Sequence, residues 1–405
     1  MEHLESLVQA ANQHALARMF AAHPVWTRVV SAAEALTLDD HTILHAGPPL
    51  ADPCNPPGAI RSSMVLSCMY EGWATDEAQA EALIQSGQLK LLPAQDHGCV
   101  TPLAAVITPS STMVEVADAA GVLPPVWSLL ASGPAPDLRF GSRDLGCLSS
   151  MVYRDGELKS LLQQALDTPI DLVAVANLAL AQGDELHSRT LAATAALHQA
   201  LLPRLLAAQV DQVAIDKFSA MMTASPGFFL TLWMAACRLY LSACDDVAHC
   251  SLVNRMGANG ETVGFSVGRE PGKWITATAT PPVGARFPHQ DANIMASGVV
   301  GDSAVVDAMG FGGQMVSNSP DVLASLVNYL PVNYEQTSFN ILSAVHPAYD
   351  NAQVRCGLDV RKVHQSGITP LVNIGILAAD GVHGLLGRGL YTAPMALFAG
   401  ALEKG

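Results

Sequence analysis

Three observations predict an α+β, multidomain fold. Strand-like and helix-like segments alternate between residues 40 and 120, helical spacing persists over residues 140–248, and glycine with β-branched residues takes over from residue 250. The expected organisation is an N-terminal α/β unit over residues 1–138, a helical bundle over 139–248 and a glycine-rich α/β unit over 249–405.

Taken in order, Leu4, Leu7, Val8 and Ala11, then Val25, Val29, Val30 and Ala33, fall at helical spacing and predict two short helices. "TILHAGPPL" reads as a buried strand ending in a turn. "GAIRSSMVLSCMYEGWA" and "TDEAQAEALIQSG" read as helices, the second capped at Thr75, and "QLKLLP" reads as a strand. Five helical segments follow, separated by breakers such as Asp167-Thr168-Pro169, Gly183-Asp184 and Ser225-Pro226-Gly227, which predicts a bundle. Beyond residue 250, "ETVGFSVGR" and "WITATATP" alternate like paired strands, "GDSAVVDAMGFGGQ" reads as a capped helix closed by glycines, and "GITPLVNIGILA" reads as a buried strand.

Composition narrows the function classes. With 36 acids against 21 bases the formal charge is −15, and there is no Lys/Arg block, so a nucleic-acid partner is excluded. The most apolar run, beginning at Ser225, contains Arg238 and falls short of the ~20 uninterrupted residues a bilayer crossing needs, which predicts a core helix and no membrane association. Eight cysteines without a CxxC pair, and a start without a cationic, apolar leader, point to a reducing cytoplasm.

Four polar clusters are candidates for chemistry. "AQGDELHSRT" places Asp184, Glu185, His187 and Arg189 inside an apolar region. One reading makes Asp184 a helix N-cap and Glu185/Arg189 an i,i+4 pair; the other has Asp184 orient His187 as an acid–base pair or share a metal with it. Residues 286–313 bring Asp291, Asn293, Asp302 and Ser303 near glycines, a donor set suited either to a hard cation such as Mg²⁺ or to an amide substrate, or else to helix caps and Asx-turns. Glycines at 310–313, including Gly312, and in the run 381–397, including Gly387 beside Arg388, can turn backbone N–H groups toward an anion or merely serve turns. Arg361 and Lys362, in so base-poor a chain, are candidates for a carboxylate or phosphate, with a solvated helix face as the alternative. A thiol reading of Cys99 beside His97 lacks a third, orienting group.

"LHAGPPL", "YEGWATDEAQA", "GDELHSR", "GLDVRKVHQSGITPLVNIGI" and "GLLGRGLYTAPMALF" occur in that order over nearly the whole chain, and together they resemble the large-subunit family of bacterial oxamate carbamoyltransferase, of the AllG, YlbE and YahG type. The resemblance implies a multidomain α+β fold with a central helical segment and a part in purine or allantoin nitrogen catabolism. It implies cleavage of oxalurate by phosphate to oxamate and carbamoyl phosphate, without a covalent cofactor. The implied partners are companion subunits, one similar to the succinyl-CoA synthetase α-subunit, and further copies of the chain. Under that resemblance Arg189, Arg361 and Arg388, with Gly312 and Gly387, would hold phosphate. His187, oriented by Asp184, would be the acid, and Asn259, Asn293 and Asn373 would read the ureido group. Asp291 and Asp302 remain the metal candidates.

Three places depart from the family pattern: Thr190 stands where relatives have Asn, "NIMASGVVGDS" is longer and lacks a Pro-Asp step, and "PAQDHGCVTPLAAV" lacks a His-rich, Gly-Gly character. All are loops or helix starts, where specificity usually resides. Two other readings are a non-catalytic organising subunit and a hydrolase of an N-carbamoyl or cyclic amide.

Overall fold

The computed structural model describes residues 2–402, with α and β elements mixed along the whole chain. A five-stranded sheet runs in the order Cys99–Val100, Val126–Leu129, Thr112–Asp118, Pro24–Ser31 and Ile170–Asp171. Its pairs are antiparallel except the first. An antiparallel four-stranded sheet places Ile275–Thr278, Thr262–Val267, Val253–Asn259 and Val300–Gly301 side by side. A three-stranded sheet of Val283–Arg286, Leu385–Thr392 and Leu371–Leu377 is also antiparallel. Thr42–His45 pairs in parallel with Lys90–Pro93 as two separate segments on either side of two helices.

The helix Phe229–Ser242 ties these layers together. Every residue in it except Leu230 is buried, because the segment is apolar around its whole circumference, and it packs on both the five-stranded and four-stranded sheets and on the helix Ala304–Met309. Each large side chain it buries stabilises the fold by roughly 1.5–3 kcal/mol. Its charged residue, Arg238, is accommodated by Asp245, whose Oδ2 lies 3.0 Å from Nη2. Trp233 meets Phe311 edge-on at 5.0 Å, so this helix also anchors the turn that follows Met309. The largest apolar cluster draws on residues from Ala11 to Ala401. Among the described residues no single helix is long and apolar enough to cross a membrane, and Phe229–Ser242 meets Gln212–Ala224 at 72°.

Most elements fall where the sequence places them, including Thr42–His45, Gly58–Tyr70, Lys90–Pro93 and the Thr262–Val267/Ile275–Thr278 pair. Three expectations are corrected. Residues 24–31 form a strand, since Pro24 cannot supply a helical N–H and the β-branched Val25, Thr27, Val29 and Val30 suit a sheet. Asp76, not Thr75, caps Glu77–Gln85, accepting Gln79 N–H at 2.8 Å. The helix expected from Glu185 begins at Leu191, leaving residues 184–190 as an ordered loop.

Candidate functional site

The loop 184–190 is shaped by two buried carboxylates. Glu185 turns inward and accepts the N–H groups of His187, Ser188 and Arg189 at 2.5, 2.6 and 3.0 Å. Asp184 accepts Ala193 N–H at 2.9 Å, which satisfies an amide in the first turn of Leu191–Ala207, and holds Arg189 Nη1 at 2.5 Å. Asp184 therefore caps a helix that starts seven residues later in the chain, and Arg189 pairs with Asp184 rather than with Glu185. The reading in which Asp184 orients His187 is corrected as well: Asp184 is committed to Ala193 and Arg189.

The partner of His187 is Asp307. Its Oδ2 lies 2.7 Å from His187 Nδ1, with the two side chains 0 % and 4 % exposed. Asp307 is itself fixed through Oδ1, which accepts Gly313 N–H at 2.8 Å and Asn373 N–H at 3.1 Å. With Nδ1 facing a carboxylate, the opposite edge of the imidazole is left for the cavity that His187 lines. Gly312 is needed here for space. Its φ is +57°, its N–H donates to the Glu185 carbonyl at 2.8 Å, and an added Cβ would stand 2.4 Å from Asp307 Oδ1.

Burial and charge pull against each other in this cluster. Burial pushes the Glu185 carboxyl up to about 7, despite its N–H donors and the neighbouring imidazole. Burial alone would lower the His187 pKa, but the Asp307 and Glu185 carboxylates outweigh it and carry the imidazole above its ordinary value. Asn373, fully buried, spans the two acids, with its backbone on Asp307 and its Nδ2 3.4 Å from Glu185 Oε1.

His187 opens onto a cavity of about 490 Å³, which Arg139, Arg189, Arg388, Gly387, Ser188 and Ser303 also line. Its apolar walls come from Leu103, Phe140, Leu191, Leu230, Phe287 and Ile374, a polar-in-apolar mix suited to a small ligand. Thr190 contributes too, and its Oγ1 donates to the Pro226 carbonyl at 2.9 Å, tying two walls together. The guanidinium of Arg139 lies 4.9 Å over the Phe140 ring and 3.9 Å from Asp137. Arg388 stands on the middle strand of the three-stranded sheet, exposed and without a hydrogen-bond or ion-pair partner among the described residues. Gly387 beside it admits close strand pairing, since a Cβ would lie 2.3 Å from the Ala285 carbonyl oxygen.

Other candidates lie elsewhere. Arg361 follows the N-cap Asp359 of its helix and faces Glu5 at 3.6 Å, outside the cavity lining, and Lys362 reaches the Leu342 carbonyl. Asn259 is a turn-former: Nδ2 donates to the Pro48 carbonyl and Oδ1 accepts Glu261 and Thr262 N–H. Asn293 is exposed and, among the described residues, bonds to Asp291 alone, through its backbone N–H and Nδ2. Asp302 is fully buried with three donors, Gly47 N–H, Gln95 Nε2 and Thr101 N–H, and burial raises its carboxyl to about 7. Asp291 and Asp302 thus share no site, and among the described residues no group of three or more His, Cys, Asp or Glu side chains is placed to hold a metal ion. The Cys99 thiol is pushed up by burial and donates to the Ala94 carbonyl, which suits packing and not attack.

Sequence reasoning missed Asp307 and Arg139. A signal for Asp307 existed: it is an acid in the otherwise apolar Val305–Met309 stretch, where burial demands a partner.

The chain matches the family model described as oxamate carbamoyltransferase subunit AllG over residues 89–303, more than half its length. It is 29 % identical over 409 residues to the oxamate carbamoyltransferase subunit AllG of Escherichia coli (strain K12), covering 98 % of this chain and 97 % of the relative. It is 28 % identical over 417 residues to the uncharacterized protein YahG of the same organism, covering 98 % and 86 %. A crystal structure of a conserved protein of unknown function from Enterococcus faecalis V583 superimposes with a TM-score of 0.92 at 26 % identity, over 99 % of this chain and 98 % of that one.

Proposed function

The chain belongs to the family of oxamate carbamoyltransferase subunit AllG, and from that premise we propose that its cavity is the transfer site of a carbamoyltransferase assembled with companion subunits, one of them of the succinyl-CoA synthetase α type. The substrates are a ureido acid such as oxalurate and inorganic phosphate, in a nitrogen-salvage reaction. The observation that supports this reading is the meeting of the His187–Asp307 pair with Arg139, Arg189 and Arg388 on one small cavity.

In this reaction a phosphate oxygen attacks the ureido carbon, the bond from that carbon to the oxamate nitrogen breaks, and the nitrogen takes a proton as it leaves. His187 supplies that proton from the ring edge opposite Asp307, whose charge favours the protonated imidazole. The arginines hold the phosphate and the carboxylate of the acid. The apolar walls exclude water that would divert the carbamoyl group to hydrolysis.

Co-expressed with its companion subunits, the wild-type protein is expected to form carbamoyl phosphate from oxalurate in a phosphate-dependent way. His187→Ala should lower kcat about 10²- to 10⁴-fold with its circular dichroism unchanged. Wild-type activity in that variant, or release of ammonia without carbamoyl phosphate, overturns the reading.

A further inference from the structure

One residue of the cavity wall carries a buried hydroxyl that has no partner among the described residues. Ser303 occupies the N-cap position of Ala304–Met309, where a serine ordinarily turns its oxygen onto the second or third amide of the helix, yet its side chain makes no capping bond. It is 2 % exposed, lines the same cavity as His187 and Arg388, and its Oγ has no hydrogen-bond partner among the described residues. A buried hydroxyl in that state has given up water without replacement, and such groups call for an explanation.

The surroundings make the vacancy more specific. Asp302, the preceding residue, has both carboxylate oxygens occupied by donors, and its own N–H donates to the Thr101 carbonyl at 3.2 Å. The Ser303 carbonyl accepts Val306 N–H at 2.9 Å. The backbone is therefore pinned on both sides of a side chain that keeps its single rotor free of any partner. The charged groups of a ligand already have Arg139, Arg189 and Arg388. What remains is a neutral amide group, which presents a carbonyl acceptor and N–H donors, and a hydroxyl is able to answer either.

We propose that Ser303 contacts the substrate, donating a hydrogen bond to the carbonyl oxygen of an amide- or ureido-type ligand and to the negative charge that develops on that oxygen during transfer. The assignment rests on the reading of the cavity as the transfer site. Ser303 stays a neutral hydroxyl throughout; no bond to it forms or breaks.

The test is Ser303→Ala in the assembled complex. Because an unpaired hydroxyl is removed, the unfolding temperature should stay level or rise, while kcat falls about 10²-fold, the usual cost of losing one such donor. Ser303→Cys, larger than alanine but a weak donor, should be impaired alongside it, which separates the lost hydrogen bond from a change in packing. Binding of oxalurate in the absence of phosphate, read by calorimetry, should weaken about tenfold in Ser303→Ala. A wild-type kcat in Ser303→Ala, a fall in its unfolding temperature that tracks the lost activity, or full activity in Ser303→Cys overturns the proposal. Unchanged oxalurate binding sinks the Ser303 contact whatever His187 does. A His187→Ala complex working at the wild-type rate sinks instead the reaction assigned to the cavity.

Discussion

His187 and Asp307, far apart in the chain, meet at 2.7 Å in the interior, with the carboxylate against Nδ1 of an imidazole that also lines the cavity. Asp307→Asn keeps the shape and removes the charge that holds the imidazole pKa up. If protonated His187 is the acid, activity declines as pH rises through its pKa. In Asp307→Asn that decline should move to lower pH, with kcat near neutrality reduced about 10²-fold or more; kcat measured against pH checks it, and an unmoved profile contradicts it.

Glu185 and His187 share a sign in their effect on stability. Both have folded pKa values above the ordinary ones, so each stabilises the fold most below its unfolded pKa and loses that contribution as pH rises. For Glu185 the window runs from the ordinary 4.5 to about 7; for His187 it opens at 6.5 and continues upward. Glu185→Gln should remove the first decline, on the order of 3 kcal/mol, so that its denaturation midpoint changes less than wild type between those limits. Equal slopes for the two proteins would refute this.

Gly312→Ala combines a left-handed backbone with a collision at 2.4 Å against Asp307 Oδ1. A loss of about 1–3 kcal/mol is expected from the crowding alone, together with loss of activity as Asp307 is driven off His187. Chemical denaturation and turnover measured on the same preparation check both halves.

Arg388 gives the opposite result. Exposed and unpaired among the described residues, it should tolerate Arg388→Gln within about 0.5 kcal/mol of wild-type stability. The KM for the anionic substrate should rise about tenfold or more, and the difference should shrink as salt screens the wild-type charge.

The polar cluster at 184–189 was legible because charges placed in an apolar run demand a purpose, and His187 and Arg189 do line the cavity. Their partners were not legible, since the choice of Asp307 over the nearby Asp184 depends on how Ala304–Met309 docks on the central helix, a relation with no local spacing. Arg361 was singled out because bases are few, but scarcity carries no information about position, and it lies on a helix facing Glu5. Val25, Val29, Val30 and Ala33 satisfied a helical period by coincidence, while Pro24 and the β-branched side chains favoured the strand that formed. Asn259, expected to read a ureido group, and Asp302, weighed as a metal ligand or a helix cap, spend their polar atoms on neighbouring backbone and, for Asp302, on Gln95, contacts that no local pattern announces.

The loop that Glu185 gathers has neither helix nor strand to protect its backbone, yet three consecutive amides point into the protein at a carboxylate that solvent does not reach. Such amides exchange hydrogen with water only when the segment opens. Deuterium uptake at His187, Ser188 and Arg189 is therefore a clock for the wall of the cavity itself, slow in the resting protein and slower still once a ligand holds Arg189 in place.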